Sequence, residues 1–191
     1  IQTSRGCPFN CEFCDIVNLY GRKPRYKSPD QVLAELETLF NLGWRKEIFF
    51  CDDNFTANKR RARDLLEAML ARRFRFQWST QVRADLARDP DLVRLMKRAG
   101  CHTVFIGFES VNPKSLAEMK KSQNLEDIRH AIRVVQEAGI HIHGMFVFGF
   151  EEDDWGSVEA TVSFARRMKL TSVQLLILTP LPGSELYQRL A

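Results

Sequence analysis

The sequence lacks long apolar segments and a strong excess of either charge. No apolar run approaches the roughly 20 residues that cross a bilayer, so we expect no transmembrane segment. The formal net charge is only +4, which is too small to indicate a nucleic-acid partner. The densest basic run, residues 59–63, opens a predicted helix and is expected to be a solvated helix face.

The cysteines do not have the distribution of a disulfide scaffold. There are five, an odd number, and three of them lie within eight residues. We therefore expect a reducing, cytoplasmic compartment and a metal site rather than disulfide pairs. Because the chain begins in an apparent strand and ends in an apparent helix, we expect residues 1–191 to be one domain of a longer protein.

Strand and helix patterns alternate along the chain. The first clear helix, 28–42, has Ser28 as its predicted N-cap, with Pro29 just inside and Gln31 three residues on. The other predicted elements are strands at 47–51, 75–82, 102–108, 140–148 and 172–178, and helices at 57–72, 89–99, 125–138 and 154–168, with short helices after Asn112 and Gly183. With a first strand at or before residues 1–4, the order is six βα units, which predicts a parallel sheet with right-handed crossovers.

Residues 76–83 distinguish the two architectures that this order allows, an open doubly wound sheet and a partial barrel. Along this strand mostly apolar side chains occupy one face and polar ones the other, the polar set being Gln77, Ser79, Gln81 and Arg83. A doubly wound sheet buries both faces under helices and is more continuously apolar. We therefore predict an α/β fold, a partial (β/α)6 TIM-like barrel whose inner face lines a ligand cavity.

Cys7, Cys11 and Cys14 follow the first predicted strand with the spacing C-x3-C-x2-C. Thiolates are soft ligands that suit iron–sulfur clusters and zinc. Three thiolates leave one iron of a [4Fe–4S] cluster open to an exogenous amine and carboxylate. Structural zinc prefers four ligands, and no further Cys or His follows before Cys51 and His102. A zinc site and unliganded thiols are the alternatives to a cluster.

With Phe13 just before the last cysteine, this motif resembles that of the radical SAM superfamily, and the resemblance extends over essentially the whole chain. It implies a partial (β/α)6 barrel, a [4Fe–4S] cluster on the three cysteines and S-adenosylmethionine (SAM) as a second cofactor. It further implies reductive cleavage of SAM to a 5′-deoxyadenosyl radical, which abstracts hydrogen from a small-molecule or lipid-like substrate. An electron donor such as flavodoxin or ferredoxin is the partner that this chemistry implies.

The resemblance also marks positions after later strands, where parallel barrels place ligand groups. The resemblance implies Asp52 or Asp53 for the methionyl ammonium, Arg83 for the methionyl carboxylate, Glu109 for the methionyl or ribose part and Gly149 beside the adenine. Phe13, Ser79 and Ser110 are further SAM-binding candidates without an assigned part of the cofactor.

Simpler structural roles are open for most of these positions. Residues 52–54 could cap the next helix, Arg83 could pair with Asp85, and Glu109 could form a structural ion pair. The acids at 151–154 could stabilise the N-terminus of the following helix. The remaining cysteines, Cys51 and Cys101, have no partner spacing and are expected to be packing thiols.

Four segments resemble the superfamily class that carries an N-terminal cobalamin-binding domain, namely 52–54, 107–110, 148–154 and 179–187. In that interpretation SAM supplies both a radical and a methyl group, and cobalamin, bound by a domain outside this chain, carries the methyl. The alternatives are a methylthiotransferase-like RNA modification enzyme and a non-catalytic metal-binding module.

Overall fold

The structure, a computed structural model, describes residues 1–74, 76–119, 121 and 123–191. Its strands are β1 (Ser4–Arg5), β2 (Arg25–Tyr26), β3 (Ile48–Phe50), β4 (Trp78–Val82), β5 (Cys101–Glu109), β6 (His141–Phe148) and β7 (Ser172–Ile177). Its α-helices are α1 (Ile16–Tyr20), α2 (Pro29–Asn41), α3 (Lys59–Ala71), α4 (Pro90–Arg98), α5 (Pro113–Glu118), α6 (Leu125–Glu137), α7 (Trp155–Arg167) and α8 (Glu185–Leu190). A 3₁₀ helix spans Ala84–Arg88.

The predicted alternation is confirmed from residue 28 onward. Three features were not predicted, namely the short helix α1, the two-residue strand β2 and the 3₁₀ helix after β4. The strand predicted at 75–82 begins at Arg75, which lies outside the described residues, and the observed strand spans Trp78–Val82.

Strands β3 to β7 form one parallel sheet in the order of the sequence, β3-β4-β5-β6-β7. Each strand therefore pairs with the next one along the chain, and helices connect them. In a doubly wound sheet the strand order reverses at a switch point, whereas these strands all advance in one direction. This winding confirms the predicted barrel-type architecture.

The first segment of the chain extends this sheet beside β3. Ile1 donates to the Phe49 carbonyl oxygen (2.9 Å) and accepts from the Cys51 amide (2.9 Å), which is how parallel neighbours bond. Strand β1 then leaves the barrel and pairs antiparallel with β2. The predicted first strand at residues 1–4 is therefore confirmed at Ile1, which bonds to the β3 segment. It is wrong at Ser4, which pairs with Tyr26 of β2 instead.

The two faces of the sheet differ as predicted. On the outer face, Phe50 and Trp78 are fully buried and Phe55 packs on both, with ring centroids 5.2–5.6 Å apart. On the inner face, Phe105 is only half-buried and Gln81 lines a cavity. Helices thus cover the outer face, and the inner face stays available to a ligand.

Local sequence sets where the helices begin. Helix α2 starts at the predicted capping box, in which Ser28 Oγ accepts from the Gln31 amide (3.2 Å) and Gln31 Oε1 accepts from the Ser28 amide (2.8 Å). Asn58 caps α3 by accepting from the Arg61 amide (3.0 Å). Residues 52–54 therefore do not cap that helix, and this alternative role for them is wrong.

The basic run 59–63 is not simply the solvated face that we expected. The Arg61 guanidinium is half-buried, because it donates to Thr3 Oγ1 (2.8 Å) and to the Thr3 carbonyl oxygen (3.1 Å). Arg63 pairs with Asp89, the N-cap of α4, at 2.5 Å. These contacts exist because the first segment of the chain and α4 both lie against α3, which the local sequence does not reveal.

The last helix returns to the loop that carries the three cysteines. The Leu186 amide donates to the Glu12 carbonyl oxygen (3.0 Å), and Arg189 Nε donates to Glu12 Oε1 (2.8 Å). Asn18 Nδ2 also donates to the Gly183 carbonyl oxygen (2.5 Å). Helix α8 is thereby fastened to the beginning of the chain by hydrogen bonds outside the sheet.

In the described residues, no helix combines the length and apolar character needed to cross a membrane.

Candidate functional site

The three motif cysteines lie on one loop, residues 6–14, which we call the cysteine loop. Gly6 opens it with a φ of +100°, and a Cβ there would lie 2.9 Å from the Gly21 carbonyl oxygen, so glycine is required. The Cys14 amide donates to the Cys11 carbonyl oxygen (3.0 Å), which closes a turn between these two cysteines. All three thiols are half-buried and outside any disulfide.

A cavity of about 290 Å³ lies between the cysteine loop and the carboxyl ends of β4 and β5. The cysteine-loop side of its wall is formed by Cys7, Cys11, Phe13 and Cys14, followed by Ile16. The sheet side is formed by Asp53, Asn54, Gln81, Val82, Arg83, Gly107, Glu109, Lys121 and Met145. The structure therefore brings the predicted cysteines together with Phe13 and with three of the predicted charged residues, Asp53, Arg83 and Glu109.

The pKa values of Cys7 and Cys14 are raised, which favours their protonated thiols over the thiolates in the absence of a cation. Burial is the main cause that raises the pKa of Cys7 and of Cys14, and the nearby Cys11 and Asp53 raise it further. A bound metal centre would displace these protons and supply the positive charge that three neighbouring thiolates need.

Arg83 reaches from the end of β4 to the cysteine loop. Its guanidinium lies 4.0 Å from the centre of the Phe9 ring, Nη1 donates to Cys11 Sγ (3.4 Å), and Nη2 donates to the Lys121 carbonyl oxygen (2.8 Å). Its Nε is buried without a hydrogen-bond partner in the part of the chain that the structure describes. The alternative pairing with Asp85 is a long contact of 3.9 Å from that Nε.

Glu109 is directed into the cavity by its backbone. The Ser110 amide donates to the Phe108 carbonyl oxygen (2.9 Å), so Glu109 is the central residue of a three-residue turn, with a φ of 65° that is unfavourable for a residue with a Cβ. Its carboxylate pairs with the Lys121 ammonium, and both side chains are at most 9% exposed. The Lys121 ammonium also donates to the Gly107 carbonyl oxygen (2.6 Å). Glu109 therefore does form an ion pair, and that pair is part of the cavity wall.

Sequence reasoning missed Lys121. It lies between α5 and α6, 12 residues after its partner Glu109, where no periodicity connects the two. One indirect signal is Gly107, because a Cβ at that position would lie 2.3 Å from Glu109 Oε1 and 2.8 Å from Lys121 Nζ. A glycine on an otherwise well-filled strand indicates that something approaches the backbone closely.

The structure separates Asp52 from Asp53. Asp52 is fully buried, and its carboxylate accepts from the Thr3 amide (2.6 Å), the Thr3 hydroxyl and the Ser4 amide (3.0 Å). Asp53 lines the cavity and accepts from the Gly6 amide (3.1 Å). Asp52 therefore holds the first segment of the chain, and Asp53 is the aspartate that a ligand in the cavity can reach.

The structure does not bring Ser79, Ser110 and Gly149 into the cavity wall. Ser79 is buried in the sheet, and Ser110 Oγ accepts from the Asn112 amide (3.0 Å). Gly149 has a φ of +116°, and its amide donates to Asp153 Oδ2 (3.0 Å). The SAM-binding roles of these three residues remain predictions.

The acids at 151–154 have structural partners. Asp154 is the N-cap of α7 and accepts from the Ser157 amide (2.9 Å). Glu152 pairs with Lys114 at 2.9 Å, and Glu151 lies 3.2 Å from an Arg189 nitrogen. The predicted stabilisation of the helix N-terminus therefore holds for Asp154. Glu152 and Glu151 instead connect residues 151–154 to α5 and to α8.

The two cysteines outside the motif differ from each other. Cys101 is buried and its pKa is raised strongly by burial, which agrees with the predicted packing thiol. Cys51 is exposed, so the prediction of a packing role is wrong for it. It lies just after β3, where its amide donates to the Ile1 carbonyl oxygen (2.9 Å).

Comparison with known proteins identifies the family. The sequence profile of the radical SAM superfamily matches residues 1–165. The chain belongs to the radical SAM superfamily. This assignment agrees with the cysteine spacing and with the one-directional winding of the sheet.

Similar radical SAM proteins are considerably longer than this chain. An uncharacterized methyltransferase of Synechocystis sp. is 38% identical over the whole chain, which covers 36% of that protein. The hopanoid C-2 methylase of Rhodopseudomonas palustris is 33% identical over the whole chain, which covers 37% of that protein. The structure of the radical SAM methyltransferase TsrM from Kitasatospora setae, with cobalamin and a [4Fe–4S] cluster bound, has a TM-score of 0.87 and 21% identity, covering 97% of this chain and 38% of TsrM. The chain thus spans little more than a third of the length of these relatives.

Proposed function

We propose that this radical SAM chain holds a [4Fe–4S] cluster on Cys7, Cys11 and Cys14 and cleaves SAM in the adjacent cavity. The observation that carries the proposal is that the three thiols share one cavity with charged side chains of both signs. When bound, the cluster supplies the electron that splits the sulfonium of SAM into methionine and a 5′-deoxyadenosyl radical.

The cysteine loop fits a cluster better than a zinc ion. Tetrahedral zinc needs its ligands to converge on one point, and no three Cys, His, Asp or Glu side chains do so within the described ranges. In a [4Fe–4S] cluster each thiolate binds a different iron, so its thiols are spread more widely. Arg83 Nη1 donates to Cys11 Sγ (3.4 Å), so a guanidinium lies directly beside the site proposed for the cluster.

The opposite wall fits the methionyl part of SAM, which carries both an ammonium and a carboxylate. Asp53 is placed to accept from the ammonium, whereas the oxygens of Asp52 are already occupied. Arg83 can bind the carboxylate, which would satisfy its buried Nε. Lys121 neutralises Glu109 by donating to Oε1 of the Glu109 carboxylate. The other oxygen of that carboxylate can still accept a hydrogen bond from an amine or a ribose hydroxyl.

We further propose that the full-length protein transfers a methyl group with the help of cobalamin. One of the two relatives is a methyltransferase by name and the other a methylase, and TsrM, which shares the fold, binds cobalamin. In this proposal residues 1–191 are the core domain, cobalamin is bound elsewhere in the longer protein, and no described residue is assigned to it. The proposal also includes a small or lipid-like substrate, a flavodoxin or ferredoxin as the electron donor, and a cytoplasmic location.

Anaerobic reconstitution of the full-length protein with iron and sulfide tests the proposal. We expect about four irons per chain and, with dithionite and SAM, the formation of 5′-deoxyadenosine. Cys11→Ala should lose both the cluster and the product. Cys51→Ala is the matched control and should keep both, because its thiol is exposed and lies outside the cavity. A cluster retained by Cys11→Ala, or zinc in place of iron, would contradict the proposal.

A further inference from the structure

We propose that an acidic one-electron carrier protein docks on a basic surface beside the cysteine loop. This basic patch consists of Arg5, Arg22, Lys23 and Arg25, with the exposed side chains of Leu19 and Tyr20 among them. The inference rests on the proposed function, because a carrier is needed only if the cysteine loop holds a redox cluster.

The cations of the basic patch are exposed and, in the described part of the chain, have no acidic partner. Within the residues that the structure describes, no carboxylate forms a salt bridge with any of the four. Each arginine donates to an uncharged oxygen instead, namely Gln2 Oε1 for Arg5 (2.8 Å), Asn10 Oδ1 for Arg22 (2.7 Å) and the Tyr20 carbonyl oxygen for Arg25 (3.3 Å).

Two of these arginines face each other directly. Arg5 on β1 and Arg25 on β2 are cross-strand partners in the antiparallel pair. Like charges in this position destabilise the pairing. The patch therefore retains a repulsion that an acidic partner would relieve, which is the charge complementarity expected of a docking surface.

The basic patch is connected to the cysteine loop. Arg22 bonds to Asn10, the residue that precedes Cys11. A second concavity of about 230 Å³, separate from the SAM cavity, includes Asn10, Cys11, Cys14 and Arg22 in its wall. Cys11 and Cys14 thus border both spaces, so a carrier on the basic patch could approach the thiols while SAM occupies the other cavity.

The surface composition favours a protein partner over RNA. Leu19 is 64% exposed and Tyr20 is 37% exposed, and apolar side chains among cations are typical of protein interfaces. Asp15 is half-buried and accepts from Asn18 Nδ2 (2.9 Å), and Glu185 lines the second concavity together with Arg22. The net charge of the chain is too small for a general nucleic-acid surface.

The redox step that docking serves is a single-electron transfer. One electron passes from the reduced carrier to the cluster, so the carrier is oxidised and the cluster is reduced by one electron. The carrier is then reduced again by its own NADPH-dependent reductase, which the experiment supplies.

The test compares two double charge reversals in the reconstituted full-length protein. Arg22→Glu with Lys23→Glu reverses the basic patch. Arg98→Glu with Arg133→Glu is the matched control, because it reverses two exposed cations on the outer helices α4 and α6. The probes are a purified flavodoxin with its reductase, and titanium(III) citrate as a chemical reductant. Binding is measured by fluorescence anisotropy of labelled flavodoxin, and turnover by 5′-deoxyadenosine.

We expect the patch variant to bind flavodoxin at least tenfold more weakly than wild type, while the control variant binds normally. Flavodoxin binding to wild type should weaken as ionic strength rises from about 0.05 to about 0.3 M, because exposed charges are screened. The patch variant should lose flavodoxin-driven turnover but keep the rate with titanium(III) citrate. The milder pair Arg22→Gln with Lys23→Gln should give an intermediate loss, and equal melting temperatures and iron contents exclude misfolding as its cause.

The outcomes separate the two proposals. Equal binding losses in patch and control variants, or binding that is insensitive to salt, would overturn the docking surface. Patch-dependent binding of RNA without binding of flavodoxin would overturn it as well. If wild type makes no 5′-deoxyadenosine even with titanium(III) citrate, the proposed function fails, and the docking inference fails with it.

Discussion

Neighbouring residues can have different roles where a strand gives way to a loop. Asp52 and Asp53 are adjacent, yet Asp52 faces the first segment of the chain and Asp53 faces the cavity. The two residues follow β3, which ends at Phe50, and the chain bends at Asp53. The sequence identifies this pair as important but does not show which side the cavity is on.

Exchanging each aspartate for asparagine should separate binding from stability. Asp53→Asn should weaken SAM binding about tenfold, or ~1.4 kcal/mol, with a small effect on unfolding. Asp52→Asn should lower the free energy of unfolding by about 2 kcal/mol, because three donors lose a charged acceptor, and leave SAM affinity nearly intact. Titration calorimetry with SAM and urea unfolding measure the two effects. The reverse pattern would show that Asp52 is the ligand.

The buried pair of Glu109 and Lys121 provides a second prediction at this scale. Lys121→Met should cost about 3–5 kcal/mol of unfolding free energy, because it removes the cation from a buried carboxylate. Combining it with Glu109→Gln should restore much of that loss. Lys114→Met is the control, because it breaks an exposed pair with Glu152 and should change unfolding little. Similar losses in Lys121→Met and Lys114→Met would mean that Glu109 and Lys121 are not a buried pair.

At the scale of elements, strand ends rather than strand periodicity set the site geometry. The register between β5 and β6 shifts between Gly107 and Glu109, so Glu109 lies opposite Phe146. A bulge of this kind redirects the side chains that follow it. Glu109 reaches the cavity through the turn at its positive φ. The register shift and this turn together determine how Glu109 reaches the cavity.

The N-cap of α4 gives a pH-dependent prediction for a single element. Partial burial raises the pKa of Asp89, but hydrogen bonds from Arg63 and the Leu92 amide and the charges of Arg63 and Lys59 outweigh this, and the net pKa is lowered. The ionised form is therefore favoured in the folded state. Its stabilising contribution is present above the unfolded-state pKa of about 4 and is lost as the pH falls through the lower folded value.

Replacing Asp89 by asparagine should remove this dependence while keeping a capping side chain. Wild type should be more stable than Asp89→Asn at pH 6, and the difference should shrink as the pH falls below about 4. Urea unfolding at a series of pH values measures the difference. A gap that stays constant down to pH 2 would argue against a lowered pKa for Asp89.

At the scale of the whole molecule, side chains fasten the last helix to the cysteine loop. Arg189 on α8 contacts Glu12 in the loop, Glu118 on α5 and Glu151 before α7. Three segments distant in sequence therefore meet at one guanidinium. The cysteine loop depends on this contact for part of its support, because Glu12 lies between Cys11 and Cys14.

Removing this guanidinium should affect the cysteine loop more than the barrel. Arg189→Met in the full-length protein should make the reconstituted cluster bleach several-fold faster in air, with little change in the melting temperature. Visible absorbance over time follows the cluster. Arg167→Met, which removes an exposed cation from the last turn of α7, is the control and should bleach at the wild-type rate. Equal bleaching in the two variants would show that α8 does not support the loop.

Much of the architecture was predictable because it depends on local pattern. Apolar periodicity and capping residues located helices such as α2, and the alternation of elements indicated a parallel barrel. The pairing of β1 with β2 was not predictable, because two-residue strands carry no periodic signal. The inward turn of Arg61 and the exposure of Cys51 were also missed, since both depend on which distant segment lies beside them.

The sequence by itself determined the family, the cysteine motif and the order of the elements. These depend on residue type and on spacing along the chain, which folding does not alter. Only the tertiary structure decided that Asp53 rather than Asp52 faces the cavity, that Lys121 pairs with Glu109, and that four cations gather beside the cysteine loop. Each of these depends on contacts between segments far apart in the sequence, and only the packed backbone brings those segments together.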